Sequence, residues 1–176
     1  MKPTKNYENF PIWIPLLANL VSMSIYALGA AILVGFSVWA AAAYLLYCLW
    51  VEATVLKRSC VNCYYYGKVC GLGKGKLCFL LRRRGDPQKF ADRDVTWLSM
   101  LPDFLVFLVP AVSGIILLVK SFDWLLLALV AALFILSFTG NALIRGAFAC
   151  KYCKQREIGC PAEKLFGGKQ TSGNRA

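Results

Sequence analysis

The sequence predicts an all-α integral membrane protein in which four transmembrane helices form two tandem helical hairpins, each followed by a small cytoplasmic cysteine-rich module. Of the 176 residues, 59% are hydrophobic, and mean hydropathy is +0.57. Soluble domains are typically about 45–50% apolar. Four apolar runs are long enough to cross a bilayer core of about 30 Å, which takes about 20 helical residues. After each pair of runs comes the cysteine pattern C-x2-C-x6-C.

The four apolar runs divide into two hairpins, residues 12–56 and 97–148. In chain order they are Ile12–Val34 with Val38–Leu56, and Trp97–Val119 with Trp124–Phe148. The links between them are only Gly35–Ser37 and Lys120–Asp123. A segment within the hydrocarbon must satisfy its own backbone hydrogen bonds, so each run is predicted to be helical, and such short links require antiparallel neighbours. The first run is longer than the 7–15 residue core of a signal peptide, so we interpret it as a span.

Basic residues predict the orientation of the hairpins, because Lys and Arg stay on the cytoplasmic side of a membrane. The chain has 20 Lys and Arg, and all but Lys120 lie before the first span, in the loop of residues 57–96, or from Arg145 onward. We therefore predict a multi-pass protein of the cell membrane with a cytoplasmic N-terminus (1–11), loop (57–96), second module (149–165) and tail (166–176). The composition of the tail predicts disorder.

The formal net charge of +11 follows from this topology, and no nucleic-acid-binding motif accompanies it, so no nucleic acid is expected as a partner. Membrane lipids with anionic headgroups are the expected partner of the basic loop. The stretch KLCFLLRRR, Lys76–Arg84, combines an apolar run with flanking cations and could lie at the membrane interface. A short buried loop segment is the alternative for this stretch.

Six cysteines form two equal half-motifs. The first half-motif is Cys60, Cys63 and Cys70, and the second is Cys150, Cys153 and Cys160, each 90 residues after its counterpart. Both lie in predicted cytoplasmic segments, where structural disulfides are rare; disulfides are the alternative if the orientation is reversed. Because the chain has no His, an all-thiolate site is the usual soft-ligand option. The sequence predicts zinc, with an iron–sulfur cluster as the alternative.

Two arrangements would complete the ligand set, since three thiolates are one short of a closed tetrahedral site. In the separate arrangement, Cys78 joins the first half-motif, and water or Glu163 completes the second. In the joint arrangement, the two half-motifs meet and six thiolates hold two metal ions. The equal offsets indicate an internal repeat with both half-motifs on one membrane face, which favours the joint arrangement. Flanking basic residues would offset the negative charge of such a cluster.

The two half-motifs resemble the binuclear zinc cluster of fungal zinc-cluster transcription factors, which is built from two C-x2-C-x6-C segments. The resemblance covers the segments Cys60–Cys70 and Cys150–Cys160 and implies nothing about DNA binding. It implies that Cys60 and Cys150 bridge two zinc ions and that the other four cysteines are terminal ligands. The halves of this chain are separated by Gly71–Ala149, which contains two predicted spans, whereas the family's linker is short.

Ionisable and amide side chains within the spans are costly and are normally paired. Glu52, Asp103, Asn141 and Arg145 are predicted to form an intramembrane polar cluster. Asp103 and Arg145 lie at similar depth, so we expect an ion pair between them that acts as a structural clasp. Cys48, also within a span, is interpreted as a small apolar residue.

The sequence contains no paired carboxylates, nucleophile elbow or other catalytic set, which favours a protein that is not an enzyme. We expect a structural metal module that presents a surface to lipid or to an unidentified protein partner. Two alternatives remain open. One is an electron-transfer protein with an iron–sulfur cluster, and the other is a soft-metal transporter or sensor, which would need a polar path through the bundle.

Overall fold

The protein is described by a computed structural model covering residues 6–86, 89–90 and 96–161. Within these ranges the chain is helical and contains no β-strand. In chain order the helices include α1 (Trp13–Val34), α2 (Val38–Arg58), α3 (Lys74–Leu81), α4 (Trp97–Lys120), α5 (Trp124–Ile135) and α6 (Gln155–Ile158). Four helical segments are long and apolar enough to cross a membrane, and they coincide closely with the four predicted runs.

Polar side chains explain where the long helices begin. Ser37 is extended and accepts a hydrogen bond from the Trp39 amide (3.2 Å), so it caps α2. Asp123 caps α5 in the same way, accepting from the Leu125 amide (3.0 Å). Thr96 forms a capping box with Ser99 at the start of α4. Such caps satisfy amides that have no partner within the first helical turn.

The fourth long segment changes its winding halfway. It is an α-helix to Ile135 and continues as π-helix over Leu136–Gly140 and Ala142–Ala149. The Cys150 amide donates to the Arg145 carbonyl, which is the wider i to i+5 hydrogen bond of a π-helix. The predicted extent of this span is therefore correct, but its uniform α-helical winding was not.

Helix α1 lies at the centre of the bundle and packs against α2, α4 and α5. Its Ile25 and Ile32 lie in one core with Tyr44 and Cys48 of α2. Gly29 faces the Tyr44 ring so closely that a methyl group there would overlap it. Small residues allow this kind of close helix approach inside membrane-type bundles. Cys48 is 2% exposed, in agreement with its interpretation as a small apolar residue.

Two prolines interrupt the hydrogen bonding of α4. Pro110 has no amide hydrogen, so the Val106 carbonyl four residues earlier loses its helical donor. The Tyr44 hydroxyl of α2 donates to this carbonyl (2.9 Å). The Tyr47 hydroxyl of α2 donates to the Pro102 carbonyl (3.0 Å), which is a second contact between α2 and α4. Helix α2 thus satisfies the carbonyl that Pro110 leaves without a donor.

The outer surface of the bundle is strongly apolar, with large Leu, Ile, Val and Phe side chains exposed along all the long helices. An exposed Trp lies within the first two residues of each long helix: Trp13, Trp39, Trp97 and Trp124. Trp is enriched at membrane–water interfaces, and apolar patches of this extent are unusual on soluble monomers. The surface fits a bundle surrounded by lipid.

Candidate functional site

Three segments meet at one end of the bundle, namely the N-terminal residues 6–10, the loop of residues 59–75 and the segment of residues 149–160. We call them together the cysteine module. Phe10, Ile14 and Tyr65 are buried at its centre, and Cys63 and Cys153 pack against them. The N-terminal segment and both half-motifs therefore share one end of the bundle. That this end is cytoplasmic stays a prediction.

The two half-motifs have the same backbone fold. Each C-x2-C forms a 3₁₀ turn, over Cys60–Asn62 and over Cys150–Tyr152. The amide of the second cysteine donates to the carbonyl of the first at 3.3 Å in both halves. In both halves the second cysteine's carbonyl then accepts from the amide three residues later at 3.1 Å. The internal repeat seen in the sequence is thus repeated in the backbone.

The halves are joined by two reciprocal hydrogen bonds. The Tyr64 amide donates to Gln155 Oε1 at 2.7 Å, and the Lys154 amide donates to the Tyr65 hydroxyl at 2.9 Å. Tyr64 corresponds to Lys154 in the repeat, and Tyr65 corresponds to Gln155. Tyr65 and Gln155 are each 2% exposed. The half-motifs therefore meet about a local pseudo-two-fold axis.

Residues 6–10, which we call the N-terminal strap, cross both halves. The Tyr7 amide donates to the Tyr152 carbonyl (3.1 Å), and the Phe10 amide donates to the Val69 carbonyl (3.0 Å). The Tyr65 hydroxyl, which accepts from the second half, donates to the Tyr7 carbonyl (2.6 Å). Phe10 is 3% exposed. This role of the N-terminal strap was not predicted from the sequence; the available signal was the pair of aromatic residues Tyr7 and Phe10 in a segment otherwise too polar to belong to a span.

Thiols from both halves lie close enough to act on one another electrostatically. Burial raises the pKa of Cys63 to about 12, and the nearby Cys153, Cys70 and Cys160 contribute to the increase. Burial likewise raises the pKa of Cys153 to about 11. These thiols favour the neutral form, and a metal ion would have to displace their protons on binding.

Cys78, the further candidate ligand, lies on α3 beside the first half-motif. It is fully buried, and its thiol is 3.8 Å from the Leu56 carbonyl. Cys60 lies near both Cys78 and Cys70. Cys150 is exposed. The first half-motif therefore has two thiol neighbours outside itself. Cys78 on α3 lies near Cys60, and Cys153 of the second half-motif lies near Cys63.

The side chains of the module are suitable metal ligands, but their arrangement is not that of a formed metal site. The donor set is all thiol and suits zinc or an iron–sulfur cluster. In the part of the chain that the structure describes, however, no three Cys, Asp or Glu side chains are gathered to hold one ion. Glu163 and the tail of residues 166–176 lie outside the described residues. The metal site therefore stays a prediction.

Two lysines from different halves lie against one tyrosine of the module. Lys68 Nζ is 4.2 Å from the centre of the Tyr64 ring and donates to its hydroxyl (3.0 Å). Lys154 Nζ is 5.4 Å from the same ring centre. The Lys68 hydrogen bond, with help from Lys154, lowers the pKa of Tyr64. The module thus carries two positive charges around Tyr64.

Three of the four residues of the predicted polar cluster line one cavity, and the fourth, Glu52, has other partners. Glu52 makes an ion pair with Lys74 of α3 and accepts from the Tyr26 hydroxyl at 2.6 Å. Asp103, Asn141 and Arg145 line a cavity of about 270 Å³.

The expected ion pair between Asp103 and Arg145 was wrong, since among the described residues none joins them within 4.0 Å. The prediction assumed straight α-helices, whereas π winding over Ala142–Ala149 changes the direction in which Arg145 projects.

Helix α3 exposes most of the predicted interfacial stretch. Gly75 and Cys78 face the protein, whereas Leu77, Phe79, Leu80 and Leu81 are 46–79% exposed. Arg82, Arg83 and Arg84 follow and are also exposed. The alternative that this stretch is a short buried loop segment is therefore wrong, except for the side of α3 that faces the protein. The contact of the stretch with lipid stays a prediction.

Over the described residues, the fold is all-helical with four span-capable helices. No family model matches the sequence, and comparisons with curated proteins and with solved structures gave no match.

Proposed function

We propose that the protein is a four-span membrane protein whose two half-motifs together hold zinc in one structural, cytoplasmic, all-cysteine site. The observation that carries this proposal is the pair of reciprocal hydrogen bonds between the halves, Tyr64 with Gln155 and Lys154 with Tyr65. Separate sites would not require the two halves to meet. A joint site requires contact between them, and this contact supports the proposal.

The chemistry of the module supports the same proposal. Thiolates are the ligands that zinc prefers in structural sites, and the chain has no His to offer instead. Lys68 and Lys154 lie beside the module, where positive charge would stabilise a cluster with more thiolate than metal charge. Metal binding would join two half-motifs that lie 90 residues apart in the sequence. It would therefore contribute directly to the free energy of folding.

The test is the metal content of the full-length protein purified in detergent without added metal. We expect two zinc ions per chain, no visible absorption, and a fall toward one or none in Cys63→Ser and in Cys153→Ser. Cys48→Ala, which removes a buried thiol in the bundle, should keep the full zinc content. Circular dichroism would verify that each variant is still helical.

Three results would contradict the proposal. Iron together with visible absorption would indicate the iron–sulfur alternative. Zinc that is lost in Cys78→Ser but retained in Cys153→Ser would indicate a separate site on the first half-motif. Absence of any bound metal, with the helical content intact, would exclude the metal role.

We also propose that the outer face of α3 and Arg82–Arg84 bind anionic lipid headgroups. Lys74 and Cys78 hold α3 against the end of α2, which leaves its apolar side chains and the arginines facing outward. Apolar side chains next to cations suit the boundary between acyl chains and headgroups.

The lipid proposal predicts that R82Q/R83Q/R84Q binds phosphatidylglycerol several-fold more weakly than the unchanged protein in native mass spectrometry titrations. Each basic residue near a membrane surface contributes about 1 kcal/mol of attraction to anionic lipid. Lys120→Gln, at the opposite end of the bundle, is the single-charge control and should bind normally. Equal phosphatidylglycerol binding by the triple variant would contradict the proposal.

A further inference from the structure

The cavity beside α4 is lined by two opposite charges that are not joined by a direct ion pair. Asp103 and Arg145 both line it, yet no ion pair joins them in the described part of the chain. Both side chains are exposed, so the cavity opens to the outside of the bundle. Placing charged groups in a membrane-type bundle is costly unless they have a partner. The arrangement therefore suggests a partner that is not part of the protein.

The remaining lining of the cavity is polar on one side and aromatic at its mouth. The Ser137 hydroxyl is buried and has no hydrogen-bond partner. Asn141 uses its amide hydrogen on the Ser137 carbonyl, which leaves its oxygen available as an acceptor. Phe104 and Phe138 are 47% and 62% exposed. These groups would suit a small polar head with an apolar continuation that leaves the cavity sideways.

The winding of the fourth segment is part of the same feature. Ser137 lies in the first π-helical stretch and Arg145 in the second, so both reach the cavity from π-helix. Single π turns occur frequently at functional sites. On the inner side, the Tyr26 hydroxyl is held by Glu52, which is itself paired with Lys74, so these charges are already satisfied.

The volume and the charges limit the class of ligand. About 270 Å³ lies below the 300–1,000 Å³ usual for drug-sized ligands, so the cavity suits a headgroup and not a whole lipid. Arg145 would attract a phosphate, which guanidinium groups bind well. Asp103 would repel a purely anionic headgroup and attract an ammonium group.

We propose that this cavity binds the headgroup of an aminophospholipid, with the phosphate at Arg145, the primary ammonium at Asp103, and the acyl chains leaving past Phe104 and Phe138. The site is separate from the cysteine module and from Arg82–Arg84, so it does not depend on the proposed metal. A soluble molecule with the same phosphate and ammonium groups shares this chemistry.

The test is a native mass spectrometry titration of the delipidated full-length protein with phosphatidylethanolamine, phosphatidylglycerol and phosphatidylcholine of identical acyl chains. We expect phosphatidylethanolamine to bind about tenfold more tightly than either other lipid, as one charge-assisted hydrogen bond would give. Asp103→Asn should abolish this preference, and Arg145→Gln should weaken phosphatidylethanolamine binding about tenfold.

Conservative variants and competitors separate this site from general effects. Asp103→Glu keeps the carboxylate and should keep the preference, which distinguishes recognition from misfolding of the asparagine variant. R82Q/R83Q/R84Q should leave the affinity for phosphatidylethanolamine, and its preference over phosphatidylcholine, unchanged. Equal binding of the three lipids by the unchanged protein would overturn the proposal, as would an undiminished preference in Asp103→Asn. Full competition by millimolar O-phosphoethanolamine would overturn the lipid assignment in favour of a soluble ligand.

Discussion

Tyr65 has more connections within the cysteine module than its place in the run YYYG indicates. Its hydroxyl accepts from the Lys154 amide of the second half and donates to the Tyr7 carbonyl of the N-terminal strap. Its ring packs against Phe10 with a 5.4 Å centroid separation. One side chain of the first half therefore contacts both other segments of the module. The neighbouring Tyr66 also uses its hydroxyl, but at the exposed Arg82 carbonyl.

Tyr65→Phe tests this connection. The change removes two hydrogen bonds and leaves a partly buried amide and a partly buried carbonyl without this partner, so we expect the free energy of unfolding to fall by about 2 kcal/mol. The measurement is unfolding in detergent with chelator and reductant present, so that bound metal does not contribute. Tyr66→Phe is the matched control and should cost about 0.5 kcal/mol or less. Equal effects of the two changes would contradict the role assigned to Tyr65.

At the scale of the helices, α4 tolerates proline because α2 supplies the missing donor. The Val106 carbonyl would accept from residue 110 in an uninterrupted α-helix, and Pro110 cannot donate. The Tyr44 hydroxyl takes this place at 2.9 Å, in a buried position where an unpaired carbonyl would be costly. Gly29 of α1 leaves room for the Tyr44 ring. Three helices therefore contribute to the satisfaction of one carbonyl.

A double-mutant cycle measures this compensation. Tyr44→Phe should lower the free energy of unfolding by about 1–2 kcal/mol, because the Val106 carbonyl loses its donor. In a Pro110→Ala background the new alanine has an amide that can make the helical hydrogen bond, so the same Tyr44→Phe change should cost clearly less. The difference between the two costs is the coupling energy. If Tyr44→Phe cost the same in both backgrounds, the hydroxyl would not be replacing the missing amide donor.

At the scale of the whole molecule, two antiparallel hairpins bring the N-terminal strap and both half-motifs to the same end of the bundle. Each hairpin returns the chain to its starting side, so segments separated by 90 residues can meet without a long connection. The short links Gly35–Ser37 and Ser121–Asp123 lie at the opposite end. Lys120 is the basic residue next to those links, in contrast to the many at the module end.

Reporter fusions in a bacterial host test the orientation that this charge distribution predicts. A fluorescent protein that folds only in the cytoplasm, fused after Ala176, should be bright. Alkaline phosphatase, which needs an oxidising compartment, should be active when inserted at Phe122 and inactive when fused after Cys160. The reverse pattern would place the cysteine module on the oxidising side, where disulfides would replace metal as the expected chemistry.

The sequence by itself determined the all-helical class of the described residues, the extent of the four span-capable helices and the repetition of the half-motifs. These properties depend on the length of apolar runs and on cysteine spacing, both of which act locally along the chain. Even the repeated 3₁₀ turn follows from short-range geometry.

Only the tertiary structure decided which distant groups meet. Tyr64 with Gln155, Tyr7 with Tyr152, and Glu52 with Lys74 are pairs whose sequence positions give no sign of contact. The failed pairing of Asp103 with Arg145 has the same origin. Depth along a helix can be counted from the sequence, but the direction of a side chain depends on local winding and on packing against neighbouring helices, which form only when the bundle assembles.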